Sequence, residues 1–325
     1  MKSHGVVGNT HRYVLVVSAA LCLSTVAHAD EGGVSFWLPG QQSNFAAAPG
    51  EPGWSIPVVY YHTSSDAGAS REFVVGGDLV LGLDAQADLV FAAPTYTFAN
   101  PVLGGQGSFS LTVAGGHMRV EADATLTGPG GTPISVSRSD SLTGMADLYP
   151  MGTVKWSKGV HNSMAYVMGG IPVGSYEVGE LANLGVNHWS LDAGGGYTYL
   201  DPEKGHEFSV VGGLTYNFEN DDTNYQNGED AHIDWALSQF LNEAWHVGLV
   251  GYIYYQLSGD SGAGAVLGDF KARAYAVGPQ AGFFFPVGKS QGYVSLRGYF
   301  EFGAEHRTEG WNGWLTLSVP LGSGK

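Results

Sequence analysis

The sequence predicts an all-β protein, a transmembrane antiparallel up-and-down β-barrel of about twelve strands. Three observations carry this prediction: long stretches alternate between apolar and polar residues, short and long connections alternate, and charged residues are scarce. Residues 188–218 show the alternation most clearly, because two alternating arms flank the turn at 201–205. Since successive side chains of a strand point to opposite faces, each arm has one apolar and one polar face.

The length of each arm separates a membrane strand from a globular one. Trp189, Leu191 and Tyr197 occupy odd positions of the first arm, whereas Ser190 and Asp192 occupy even ones. An arm of about a dozen residues exceeds the ~5–6 of a typical globular strand and reaches the roughly 9–11 tilted residues that cross a bilayer. The hairpin is therefore expected to cross a membrane.

The same alternation along the chain predicts about twelve strands, with ten or fourteen left open as alternatives. The predicted strands cover residues 54–63, 73–93, 108–126, 145–156, 160–168, 188–199, 207–218, 232–241, 245–257, 269–286, 292–302 and 311–321. An alternation that repeats every two residues does not itself say which face of a strand points outward.

The lengths of the connections indicate the orientation. Long connections at 127–143, 169–187, 219–230 and 258–268 alternate with short ones at 158–159, 201–205, 242–244 and 287–291. Outer-membrane barrels have short periplasmic turns and longer external loops, and a soluble barrel has no reason for this division. The apolar face is therefore predicted to meet lipid and the polar face a wet lumen, in the outer membrane of a Gram-negative bacterium.

The first 53 residues are predicted to lie outside the barrel wall. Residues 1–29 read as a cleaved signal peptide, with Lys2 and Arg12 before an apolar run and a small-x-small site at 27–29. The only cysteine, Cys22, lies in this segment, so the exported chain is expected to have no disulfide. Residues 30–53 are predicted to be irregular, and whether they enter the barrel as a plug is left open. Residues 54–325 form the predicted barrel.

The composition excludes several classes of protein. The formal charge is −16, and it becomes −18 without Lys2 and Arg12, whereas nucleic-acid binding needs a basic face. Charged residues make up 14% of the chain, against ~25% in soluble domains. Many glycines and 12% aromatic residues do not describe a disordered chain but suit a barrel with aromatic girdles.

From about Gly144 onward the chain resembles a known family. The runs that carry the resemblance are 185–202, 213–228, 234–235, 238–241, 278–280 and 310–316. They are similar to the outer-membrane family named for the meta-pathway of phenol degradation. The resemblance implies a channel for passive uptake of small hydrophobic or aromatic compounds, with no cofactor and no catalytic residues to transfer. Its expected partners are outer-membrane lipid, the solute and the outer-membrane assembly machinery.

Polar residues on the predicted inner face are candidates for the lumen wall. They are Asp84, Gln86, Asp88, Asp192, Lys271, Arg273, Arg297 and Glu301. Asp84 and Asp88 lie roughly 13 Å apart along a strand, which is too far for a coupled pair of carboxylates. Aromatic residues near the strand ends are expected at the membrane interfaces. These are Trp156, Trp189, Tyr199, Tyr216, Trp235, Trp245 and Trp311.

No arrangement in the sequence indicates an enzyme. Residues 288–292 match the G-x-S-x-G pattern, but a strand follows where a nucleophile elbow needs a helix, so a hairpin turn is predicted. One loop offers only weak metal candidates, because its oxygen ligands lack the spacing of an EF-hand. They are Asp221, Asp222, Glu229 and Asp230. A structural or adhesive barrel that acts through its external loops is the alternative function, and an outer-membrane enzyme is the least favoured.

Overall fold

The computed structural model describes residues 35–67, 72–75, 78–127, 133–265 and 271–321. The predicted signal peptide, residues 1–29, lies outside the described residues. The strands are β1 (Gly53–Asp66), β2 (Glu72–Val75), β3 (Asp78–Leu81), β4 (Asp84–Ala92), β5 (Thr95–Val102), β6 (Gly105–Thr127), β7 (Pro133–Met145), β8 (Tyr149–Lys158), β9 (His161–Gly170), β10 (Ser190–Asp201), β11 (His206–Asn217), β12 (Asp230–Phe240), β13 (Trp245–Gln256), β14 (Arg273–Val287), β15 (Ser290–Glu305) and β16 (Glu309–Pro320). Over these ranges, no helix has the length and apolar character needed to cross a bilayer.

The strands close into an antiparallel barrel with twelve strand positions. Successive positions pair with each other, and β1 pairs with β16 to complete the ring, with Tyr61 opposite Trp314. Two positions are each shared by two consecutive strands: β5 continues β4 after Pro94, and β8 continues β7 after a break at 146–148. The prediction of an all-β barrel with about twelve strands is confirmed.

One predicted strand in the first half is wrong. The segment 73–93 is not continuous, because β2 and β3 pair with each other in a hairpin of their own. Gly82, with a φ of 61°, then turns the chain into β4. Glycine adopts this left-handed conformation at little cost. The alternation of the sequence runs on across the turn and does not reveal it.

Two predicted connections also contain strands. The segment 94–107 includes β5, and only Leu103 and Gly104 turn the chain into β6. Both have positive φ values, 50° and 78°, as a type I′ hairpin turn requires. The predicted loop 127–143 is largely β7, which pairs with β6 from Met145 to Pro133. Within β7 the residues 137–141 are polar on both faces, so alternation between apolar and polar residues does not mark this strand.

Apolar side chains cover the membrane-spanning part of the outer surface. On β13 the exposed large side chains are Trp245, Val247, Leu249, Ile253 and Tyr255. The first and last of them are about ten residues apart, which spans about 25 Å in a strand tilted by ~40°. This is the height of the apolar band in outer-membrane barrels. The predicted aromatics Trp189, Tyr216, Trp245 and Trp311 are exposed on this surface.

The connections differ between the two ends of the barrel. One end carries the turns 103–104, 159–160, 202–205, 241–244 and 288–289. The other end carries the connections 171–189, 218–229 and 306–308, together with the ends of β1 and β4, of β6 and β7, and of β13 and β14. By the rule for outer-membrane barrels, the end with the short turns is periplasmic and the other is the outer end. The turn 306–308 is a short connection at the outer end.

The loop 171–189 is fastened to the outer end and caps it. Leu181 and Ala182 are buried in an apolar cluster with Leu83 and Val120 of the wall. The carboxylate of Asp147, in the break between β7 and β8, accepts three backbone hydrogen bonds from this loop. The donors are Val173 (3.0 Å), Gly174 (2.7 Å) and Val186 (2.9 Å).

Replacing Asp147 with Ala should loosen the cap. Three N–H groups would lose their acceptor, and each unsatisfied buried donor costs about 1–3 kcal/mol. Hydrogen exchange of amides in 171–189 should therefore become faster while that of β10–β13 does not change. The exposed Asp221→Ala is the matched control. Unchanged exchange in the loop of Asp147→Ala would show that this carboxylate does not hold it.

Candidate functional site

Residues 35–50, here called the N-terminal segment, run inside the barrel. Trp37 is fully buried and stacks on the His232 ring, with 3.6 Å between the ring centroids. Ala47 is also fully buried, and its N–H donates to Thr198 Oγ1 at 3.0 Å. His232 and Thr198 lie on the buried, inward face of their strands. The segment therefore occupies part of the lumen.

Two buried carboxylates hold the backbone of the N-terminal segment. Asp234 of β12 accepts hydrogen bonds from the N–H groups of Gly40 (2.9 Å) and Gln42 (3.0 Å). Glu207 of β11 accepts one from the N–H of Phe45 at 3.1 Å. Hydrogen bonds to ionised acceptors are about twice as strong as neutral ones. The carboxylates of the wall thus accept hydrogen bonds from N–H groups that an irregular backbone does not pair with its own carbonyl groups.

A cation and a phenol hold the same turn from the other side. Arg297 Nη1 and the Tyr299 hydroxyl both donate to the carbonyl oxygen of Gly40, at 2.9 and 3.2 Å. Gly40 has a φ of 85°, and a Cβ there would lie 3.0 Å from the Tyr299 ring. Only glycine suits both the backbone conformation and the close approach.

At the periplasmic end the segment is held by two more residues of the wall. Lys155 Nζ donates to the Ala48 carbonyl oxygen at 3.1 Å. The Gln106 side chain donates to the Gly50 carbonyl oxygen and accepts from its N–H, both at 2.7 Å. The segment therefore passes from the outer half of the lumen to the periplasmic rim, where β1 begins.

A hydrogen-bonded histidine and aspartate lie beside Trp37 with no solvent exposure. His232 Nε2 is 2.9 Å from Asp192 Oδ2, and both side chains are fully buried. Thr215 donates to the same oxygen at 2.6 Å. Asp192, a predicted lumen residue, thus points inward. The sequence does not indicate the contacts that His232, Asp234 and Glu207 make with the N-terminal segment, although each residue occupies an inward-facing position of an alternating strand.

A chamber lies at the outer mouth, between the cap, the wall and the N-terminal segment. Its volume is about 130 Å³. Its wall is apolar on β4 and β6, its floor is Leu38 and Pro39, and the cap contributes Leu181 and Leu184. The wall residues are Leu83, Ala85, Ala87, Leu89, Met118 and Val120. The polar residues that line it are Ser35, Thr63, Ser65, Gln86, Asn183, Arg307 and Thr308.

The position of the chamber corrects the prediction for Asp84 and Asp88, which are exposed and point away from the apolar wall residues beside them. Gln86 is also exposed, but it borders the chamber. Asp88 accepts from the Tyr60 hydroxyl at 2.5 Å and lies 2.8 Å from His62 Nδ1. At this height water surrounds the barrel and the cap fills its interior, so the polar face of β4 turns outward.

Lys271 and Arg273 also do not line the lumen. Lys271 is exposed and donates to the Leu257 carbonyl oxygen at 2.8 Å. Arg273 pairs with Glu305 at the outer rim. Ala274 and every second residue after it take the inward-facing positions of β14, so Arg273 does not face the lumen. Glu301, by contrast, points inward like Arg297 and accepts from the Tyr252 hydroxyl at 2.6 Å.

The four weak metal candidates are engaged separately. Asp222 accepts from Asn187, and Asp230 accepts from Asn217 and Tyr254 inside the barrel. Glu229 contacts Ser258, and Asp221 is exposed. Among the residues that the structure describes, no group of three His, Cys, Asp or Glu side chains is placed to hold a metal ion.

The lipid-facing band, the closed ring and the polar interior define an outer-membrane β-barrel. The chain belongs to the family described as "Putative MetA-pathway of phenol degradation", whose model matches residues 69–317. This confirms the resemblance found in the sequence. No curated protein matches the chain.

Solved barrels share the fold. The COG4313 outer membrane channel from Pseudomonas putida F1 aligns with a TM-score of 0.62 at 16% identity, over 87% of this chain and 98% of that one. The transport unit of the autotransporter AIDA-I from Escherichia coli aligns at 0.42 and 11% identity, over 83% and 91%. The first likeness supports the fold, and the second is too distant to add to it.

Replacing Asp234 with Ala should release the turn at Gly40. The variant removes two hydrogen bonds to a charged acceptor, each worth about 1.5–3 kcal/mol. The amides of Gly40 and Gln42 should therefore exchange at least about tenfold faster. Asp221→Ala again serves as the control. Equal exchange in Asp234→Ala and the native protein would show that other contacts suffice.

Proposed function

We propose that the protein is a channel for passive uptake of small hydrophobic or aromatic compounds across the outer membrane. The mouth chamber is the observation that carries this proposal. It has an apolar wall where the lumen meets the outside, a position that a solute reaches before the polar interior. Family membership and the fold of a known outer-membrane channel support the same role.

The size of the chamber favours a molecule with a single ring. Its volume is about 130 Å³. An apolar protein cavity of about 150 Å³ is large enough to bind benzene. Apolar solutes would leave water for the leucine, alanine and methionine side chains of the wall, and this transfer is favourable by roughly 25 cal/mol per Å² of buried apolar surface.

We also propose that the N-terminal segment acts as a plug. Leu38 and Pro39 form the floor of the chamber, so a solute that moves on toward the periplasm meets this segment first. The contacts that hold its central turn come from side chains of the wall, at Asp234, Arg297 and Tyr299. The segment can therefore shift while the ring of strands stays intact.

Single-channel recording tests the plug. Refolded Asp234→Ala in planar bilayers should show a higher conductance than the native protein, because the turn at Gly40 loses two of its hydrogen bonds to the wall. Asp221→Ala should conduct like the native protein. A conductance that is the same in all three proteins would contradict the plug.

A side chain that fills the chamber tests the site of uptake. In the native protein, benzyl alcohol should reduce the single-channel current by occupying the chamber. Ala85→Phe should abolish this reduction, since Ala85 lines the chamber. Val90→Phe is the matched control, because Val90 lies on the same strand, points to the outside and is 50% exposed.

Absence of any current in both the native protein and Asp234→Ala would overturn the channel proposal. A benzyl alcohol effect that persists in Ala85→Phe would leave a channel but remove the chamber as the place where the solute binds.

A further inference from the structure

We propose that the periplasmic mouth of the lumen contains a second binding site for a single aromatic ring, and that Phe45 of the N-terminal segment occupies this site until the ring of a solute replaces it. The inference rests on the proposed uptake of aromatic compounds. It gives the solute a site at the opposite end of the lumen from the mouth chamber.

Four rings of the wall surround the side chain of Phe45, and we call these four residues the aromatic cup. The ring centroid of Phe45 lies 5.5 Å from that of His246, 5.7 Å from Phe284, 5.9 Å from Phe240 and 6.0 Å from Tyr293. All four contacts are tilted or edge-on, within the ~4.5–7 Å that favours aromatic pairs. The cup therefore has the size and the chemistry to hold one phenyl ring.

The cup lies at the periplasmic end of the barrel. Phe240 is the last residue of β12 and His246 is the second residue of β13, so they flank the turn 241–244. Phe284 of β14 and Tyr293 of β15 lie on either side of the turn 288–289. Phe45 is only half-buried among these rings. A solute that passes down the lumen thus has an apolar site beside the exit.

The rings of the cup support one another without the N-terminal segment. The centroids of Phe284 and Tyr293 are 4.7 Å apart, and those of Phe240 and His246 are 5.4 Å apart. His246 and Tyr293 stack at 5.9 Å, and His246 Nε2 lies 3.0 Å from the Tyr293 hydroxyl oxygen. These contacts are all within the wall, so the cup should keep its shape when Phe45 moves away.

The backbone of Phe45 pays a conformational cost to place its ring in the cup. Its φ is 62°, in the left-handed region that is unfavourable for a residue with a Cβ. Such strained positions persist where the surrounding contacts hold them, and they are common at binding sites and switches. The ring of a free solute makes the same contacts with the cup without this strain. It can therefore compete with Phe45 for the site.

Hydrogen exchange with and without benzyl alcohol tests this competition. In the refolded native protein the amides of Phe45 and Ala47 should exchange faster with the solute present, because the solute binds only a cup that Phe45 has left. At ten times its dissociation constant for the vacant cup, the solute should accelerate exchange about tenfold. Calorimetry on Ala85→Phe combined with Phe45→Ala gives that constant, since the chamber is then filled and the cup vacant.

Three comparisons separate binding in the cup from other effects of an alcohol. Ala85→Phe alone should show the same acceleration as the native protein, because the chamber is not the site concerned. Cyclohexylmethanol, which carries the same substituent on a saturated ring, should accelerate exchange less, because it lacks the electrostatic attraction between aromatic rings. Equal acceleration by both alcohols would overturn the preference for an aromatic ring.

A matched pair of variants on β14 locates the site. Phe284→Leu removes one ring of the cup and should weaken solute binding on the order of tenfold, so the same solute concentration should accelerate exchange only about twofold. Phe283→Leu is the control, because Phe283 is the adjacent residue and packs on the exposed Trp245 at 4.5 Å. It should respond like the native protein.

The outcomes separate this inference from the proposed function. Exchange that benzyl alcohol does not accelerate in the native protein or in Ala85→Phe would overturn the cup and leave uptake through the chamber in place. An equal response of Phe284→Leu and the native protein would also overturn the cup. Acceleration in a protein that passes no current would retain the cup as a binding site and remove the uptake function.

Discussion

A closed ring of backbone hydrogen bonds is the constraint on which the rest of the molecule depends. Hydrocarbon offers no partner to an N–H or C=O group, so a sheet can cross a bilayer only when its last strand pairs with its first. β1 and β16 meet this requirement over the full length from Ser55 to Asp66. A ring of twelve strands encloses more space than its own side chains easily fill. Closure therefore creates an interior that water or another part of the chain must occupy.

The N-terminal segment and the charged side chains of the wall supply each other with hydrogen-bond partners. An irregular backbone away from water needs partners for its N–H and C=O groups. A buried carboxylate needs donors, because an unpaired charge in such a place is costly. Asp234 and Glu207 meet the N–H groups of the segment, and Arg297 meets a carbonyl oxygen. The polar interior thus serves as the binding surface for a part of the same chain.

Alternation in the sequence predicts strands and their two faces wherever one face meets lipid. The inward position of Arg297 follows from the outward position of Leu296 beside it. The same reasoning fails at Asp88, because an alternation that repeats every two residues separates the two faces of a strand without saying which face meets water. Above the lipid, water is outside the barrel and the cap is inside, so the assignment reverses. The contact of Gly40 with Asp234 has no local signal at all, since the two residues are 194 positions apart.

The length of β6 determines where the molecule meets its surroundings. Its 23 residues extend about 75 Å along the strand, far more than the ~25 Å band needs. The ribbon of β6 and β7 therefore extends beyond the lipid at the outer end of the barrel. Its charged side chains there, such as Arg119, Glu121 and Arg138, are exposed. Under the proposed uptake, a dissolved molecule would enter the chamber from water at this end, without first partitioning into fatty acyl chains.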